Sequence, residues 1–209
     1  MTRCFKIVSI ISIALLVGLQ YIWATPSLTV STGKPIYEYG DFLSITFEVS
    51  QLTGEPAVIH IVDETGKTSS PIPVQLSKLN STIIAPVPFY KTNYSPGIYH
   101  IDVEYSGTKT SISYKLIDSG RIAIPSQYKE LMKSWARGSP PDKNLANVIL
   151  ELVHFDIIRV PGYDSQTIHA VHIPAWFKSD VKWWSDDSIT DNELGLAIQY
   201  LMKTGIISV

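Results

Sequence analysis

The chain repeats itself. Residues 124–160 align with residues 173–209 without a gap, at an offset of 49 residues. Of the 37 aligned positions 13 are identical, where chance gives about two to three. The matches fall where a helical hairpin needs them. Ile124-Pro125 corresponds to Ile173-Pro174, Lys129 to Lys178, Lys133 to Lys182, and Trp135 to Trp184. Asp142, Leu145, Ile149 and Leu152 correspond to Asp191, Leu194, Ile198 and Leu201, and Ile157-Ile158 to Ile206-Ile207. A small unit used twice must bury its apolar face against its twin, so this pattern predicts two hairpins sharing one core.

Each copy carries its own helix signals. Proline at 125 and 174 is compatible with a first helical turn, and the first helix is expected to run to Trp135 or Trp184. Thr190-Asp191-Asn192-Glu193 is a capping-box pattern opening the second helix of the later copy, and Pro140-Pro141-Asp142 opens it in the earlier one. Leu194, Ala197, Ile198 and Leu201 share one face, and Gly205 ends the helix.

Upstream the periodicity changes from helical to two. Leu43, Ile45, Phe47 and Val49 alternate with Ser44, Thr46 and Glu48. Further strands are expected near Ala57–Val62, Ile72–Leu76, Thr82–Phe89, Ile98–Tyr105 and Lys109–Ile117, divided by turn signals such as Thr53-Gly54, Thr65-Gly66 and Ser95-Pro96-Gly97. About seven short strands at this spacing predict an antiparallel sandwich. The expected fold class is therefore mainly β with an α-helical C-terminal part.

Residues 1–24 form a third kind of segment. Arg3 and Lys6 precede an apolar run from Ile7 to Ala24, closed by Thr25-Pro26. This is a signal peptide or, at 18 residues, an N-terminal membrane anchor near the lower limit for spanning. Either way the remainder is expected outside the cell or on its surface, associated with the membrane if the anchor is retained. Cys4, the one cysteine, precedes the apolar run. The expected divisions are 1–24, leader or anchor; 25–118, sandwich; 119–160, first helical copy; and 161–209, linker and second copy.

The charge balance of 17 basic and 19 acidic residues argues against a nucleic-acid partner. With Arg3 and Lys6 set aside, 15 face 19, a formal −4. No G-x-S-x-G, H-E-x-x-H or phosphate-cradling glycine loop occurs, so no enzymatic activity and no cofactor is expected. Asp186, Asp187, Asp191 and Glu193 lack calcium-loop spacing and read as caps and solvated charges. His169-x-x-His172 with His154 lacks a further ligand, so no metal is assigned. Asn80-Ser81-Thr82 is a glycosylation sequon, and Asn93-Tyr94-Ser95 is a second one followed by Pro96.

Two phrases in the sandwich region, Tyr37-Glu38-Tyr39-Gly40-Asp41 and Pro96-Gly97-Ile98-Tyr99-His100-Ile101, resemble those of extracellular immunoglobulin-like and macroglobulin-type domains. They imply an immunoglobulin-like topology. Ile173-Pro174-Ala175-Trp176-Phe177-Lys178, Lys182-Trp183-Trp184-Ser185, Ile189-Thr190-Asp191, Tyr200-Leu201 and Gly205-Ile206-Ile207 resemble a module recurring on exported proteins of ammonia-oxidising (thaumarchaeal) archaea. That resemblance implies an archaeal cell-surface address.

Trp176, Trp183 and Trp184 are the candidate binding residues. Trp176 and Trp183 share a helix face, while Trp184 lies about 100° away. The first copy has Gln127 and Ser134 where the second has Trp176 and Trp183. The expected function is surface binding or adaptation, with a cell-envelope component or surface protein as partner. The alternatives are an accessory or sensor subunit of a membrane enzyme complex and a metal-handling surface protein.

Overall fold

A computed structural model of the chain describes residues 25–161 and 173–207. Residues 1–24, where a signal peptide or anchor is expected, and residues 162–172, which include His169 and His172, lie outside the described residues. Among those described, no helix is long and apolar enough to cross a membrane.

Among the described residues, eight strands form two sheets. Strands β1 (Leu28–Thr32), β3 (Ser44–Val49) and β6 (Asn80–Ile84) make an antiparallel sheet in the order β1-β3-β6. The second sheet runs β2-β8-β7-β4-β5, from β2 (Ile36–Glu38), β8 (Thr108–Ile117), β7 (Gly97–Tyr105), β4 (Ala57–Val62) and β5 (Ile72–Val74). The alternation read from the sequence sets the inward face: Ile45, Phe47 and Val49 of β3 are buried, as are Ile101, Val103 and Tyr105 of β7. Tyr37, Phe89, Tyr99 and Tyr114 add an aromatic cluster with ring centroids 5.3–5.6 Å apart.

Two strands escaped the periodicity argument. β1 and β2 are short, and β2 pairs in parallel with β8, bringing Tyr37 opposite Leu116. The phrase after β2 is a tight turn. Gly40 adopts φ +89°, which a side chain disfavours, and Asp41 Oδ2 accepts from the Glu38 N–H at 2.7 Å. The β6 pairing starts at Asn80, before the expected Thr82, and it ends at Ile84 rather than Phe89 because Pro86 and Pro88 cannot donate to a ladder.

Four helices follow: α1 (Gln127–Ala136), α2 (Asp142–His154), α3 (Ala175–Ser185) and α4 (Asp191–Lys203). They enclose a second core built on Met132, Trp135, Leu145, Ile149, Phe177 and Trp184, among others. The prolines sit just outside the helices: Pro141 and Pro174 occupy the N-cap, and Pro125 precedes the N-cap Ser126. Both halves of the predicted capping box are present, the Glu193 N–H donating to Thr190 Oγ1 at 3.3 Å and the Thr190 N–H to Glu193 Oε2 at 2.7 Å. Gly205 follows α4 with φ +70°, and Asp156 does the same after α2 with φ +54°. Asp is among the few residues with side chains that tolerate this region.

The sandwich and the helices are tied by a short strap and an ion cluster. Asn192 Oδ1 accepts from the Ile122 N–H at 2.9 Å. Lys91 Nζ reaches Asp118 Oδ2 at 2.9 Å and the Asp156 carbonyl at 2.7 Å, and Arg159 bonds Asp156 and Asp118.

Candidate functional site

The two hairpins hold each other by reciprocal contacts at residues that match at the offset of 49. Asp191, first residue of α4, accepts from Trp184 Nε1 of its own hairpin at 2.6 Å through Oδ1 and from the Ile124 N–H of the other hairpin at 2.8 Å through Oδ2. Asp142, first residue of α2, does the same with Trp135 Nε1 at 2.9 Å and the Ile173 N–H at 3.1 Å. One carboxylate thus closes a hairpin and captures the chain entering its neighbour, satisfying two donors that burial would otherwise strand. Lysines cross in the same sense: Lys129 Nζ lies 5.5 Å from the Trp184 ring and Lys178 Nζ lies 5.3 Å from the Trp135 ring.

This geometry divides the three candidate tryptophans. Trp184 is 3% exposed and belongs to the core. Trp176 and Trp183 are 44% and 51% exposed on α3. Tyr200 and Leu196, 56% and 61% exposed on α4, lie one turn apart on one side of that helix, and the Tyr200 ring is 6.2 Å from Trp176. An aromatic and apolar face therefore spans α3 and α4. The sequence marked Trp176 and Trp183 by type, whereas Tyr200 and Leu196 join only because the hairpin folds α4 against α3.

Asp180 completes the face. It lies four residues after Trp176 and three before Trp183, on the same side of α3. Among the described residues, no hydrogen bond or ion pair reaches its carboxylate, and desolvation holds its pKa above the ordinary carboxylate value. Candidate-site reasoning from the sequence missed Asp180. Its i+4 and i−3 spacing to the two tryptophans was the available signal.

Elsewhere Asn80 is exposed on β6, an edge strand of the smaller sheet, with Nδ2 3.3 Å from Glu48 Oε1. On the outer face of the larger sheet His60, Asp102 and Ser111 are register neighbours around a hollow of about 530 Å³. The Ser111 hydroxyl donates to Asp102 Oδ1 at 2.6 Å. Asp102 therefore stands between serine and histidine, and the row has no serine–histidine bond of the kind that activates a nucleophile. Among the described residues no three His, Cys, Asp or Glu side chains group to hold a metal ion.

No family model matches the chain, and no curated protein matches it. Three solved structures that resemble it each align with less than half of it. The sulfur carrier protein SoxY from Chlorobium limicola f thiosulfatophilum is 14% identical over 43% of this chain and 78% of its own, with a TM-score of 0.25. A β-glucosidase from Listeria innocua is 10% identical over 44% of this chain and 16% of its own, with a TM-score of 0.28. The PKD domain of an M14-like peptidase from a Thermoplasmatales archaeon is 10% identical over 44% of this chain and 91% of its own, with a TM-score of 0.23. At these scores the likenesses carry no functional argument.

Proposed function

We propose that the chain is an exported, non-enzymatic cell-surface binding or adaptor protein of the thaumarchaeal kind. In this reading an immunoglobulin-like sandwich carries a duplicated helical module whose second copy binds a cell-envelope component or surface protein. Membrane attachment runs through residues 1–24 if they are retained. The duplication rests on the 49-residue offset, and the reciprocal Asp142 and Asp191 contacts support it because they fall on matched residues.

The observation that carries the binding face is a comparison within the molecule. Exposed Trp176, Trp183, Leu196 and Tyr200 correspond at the offset of 49 to Gln127, Ser134, Asn147 and Glu151, which are all exposed and polar. A hairpin of this kind therefore closes with polar residues at these positions, and packing does not require the aromatics. Large apolar side chains gathered on a surface that does not need them for folding mark an interaction site.

The test compares the full-length protein with its Trp176→Ala/Trp183→Ala variant, each immobilised and exposed to envelope extract. Both are expected to unfold within a few degrees of each other, and the variant to lose most of the retained material. Equal retention by the folded variant refutes the proposal.

A further inference from the structure

The buried tryptophans show what this module does with an indole. Trp135 and Trp184 each donate Nε1–H to an aspartate and each receive a lysine ammonium over the ring at 5.3 and 5.5 Å. On the outer face two indoles and a carboxylate recur, among the described residues without a hydrogen bond between them and without a cation. Trp176 and Trp183 flank Asp180 along one side of α3, and among the described residues no cation lies over either ring or against the carboxylate. A cation is the chemistry that all three groups attract. The ring faces draw it through their quadrupoles, and the carboxylate draws it by charge and hydrogen bonding.

Resting on the binding role of this face, we infer that Trp176, Asp180 and Trp183 form a receptor for an arginine side chain presented by a basic segment of a protein partner. Arginine fits better than lysine because its planar guanidinium stacks on an indole while its edge hydrogen-bonds a carboxylate. A basic partner also suits the net charge of −4 that residues 25–209 carry, 15 basic against 19 acidic. Tyr200 and Leu196 then offer apolar contact to the neighbouring residues of the segment.

The test uses the isotopically labelled full-length protein and follows the indole N–H resonances of its tryptophans. The probes are a five-residue peptide with two arginines among glycines, the same peptide with neutral citrulline in place of arginine, and cellohexaose. The arginine peptide is expected to shift the Trp176 and Trp183 signals and leave those of Trp135 and Trp184 in place. The citrulline peptide is expected to bind about tenfold more weakly, and Asp180→Asn to weaken the arginine peptide by about the same factor. Equal binding of the two peptides, no effect of Asp180→Asn, or no response to any probe overturns the inference. So does a response to cellohexaose alone, which assigns the face to a neutral glycan. In each of these cases envelope retention that still depends on Trp176 and Trp183 leaves the binding role standing, whereas retention independent of them removes it.

Discussion

Asp142 and Asp191 each serve two donors, so their removal should cost more than one hydrogen bond. Alanine at either position leaves a buried indole N–H and the N–H of Ile173 or Ile124 without a partner. Each substitution is expected to lower stability by about 2–4 kcal/mol, measurable by denaturant unfolding. A loss below about 1 kcal/mol at both positions would show that the carboxylates do not tie the hairpins together. Asp180 should behave in the opposite way. Desolvation raises its pKa in the folded protein, so the folded state holds its proton more tightly than the unfolded chain does. Folding stability from this group is therefore present at low pH and falls as pH rises through its titration. Asp180→Asn is expected to be more heat-stable than wild type at pH 7 and equal to it near pH 3. A variant less stable at pH 7 would contradict the desolvation argument.

At the scale of elements, the helices begin and end by different devices in the two hairpins. Thr190 and Glu193 cap α4 reciprocally, while α2 starts from Pro141 with no side-chain cap. Thr190→Ala is expected to cost about 1 kcal/mol, seen as a lower unfolding midpoint. An unchanged midpoint would mean that Asp191 alone holds the helix start. Closer packing appears within α4, where Gly195 lies against Ile122. A Cβ at Gly195 would come within 2.3 Å of Ile122 Cδ1 and 3.3 Å of its Cγ2. Gly195→Ala must therefore shift the Ile122 side chain, at a cost of about 1–3 kcal/mol despite alanine's better helix propensity. A stabilised variant would show that Ile122 yields freely. In the sequence the glycine carries no signal of this contact.

At the scale of the molecule, an ion cluster links the sandwich to the helices. Lys91 lies 10% exposed between Asp118 of the sandwich and Asp156 after α2, with Tyr39 beneath its ammonium at 5.5 Å. For Asp118, burial pushes the pKa up, but hydrogen bonds from Lys91 and the Gly120 N–H and the nearby positive charges outweigh it. Asp156 is held low chiefly by its hydrogen bonds from Arg159, against burial. Both folded-state values lie below the unfolded carboxylate value of about 4. Their contribution is thus complete above that pH and is lost as pH falls through the lowered values. Lys91→Met is expected to destabilise the protein at pH 7 and to flatten the decline of stability below about pH 4, followed by unfolding at a series of pH values. An unaltered pH profile would place the acid sensitivity elsewhere.

Much of this molecule is written in local pattern. Alternation in Leu43–Val49 and Ile98–Tyr105 specifies strands and their inward faces, because successive side chains must point to opposite sides. The spacing of Leu194, Ile198 and Leu201 and the Thr190–Glu193 box specify a helix and its start, because these interactions close within a turn. Trp176 and Trp183 were likewise legible as sharing a face. Tertiary structure decided everything that depends on distant segments meeting. It drew Trp184 into the core through Asp191, paired β2 in parallel with β8, and laid Tyr200 beside Trp176. It also left Asp180, among the described residues, without a partner between two exposed indoles. Whether a side chain is buried, and what lies beside it, depends on residues far away in the chain, and no local period records that.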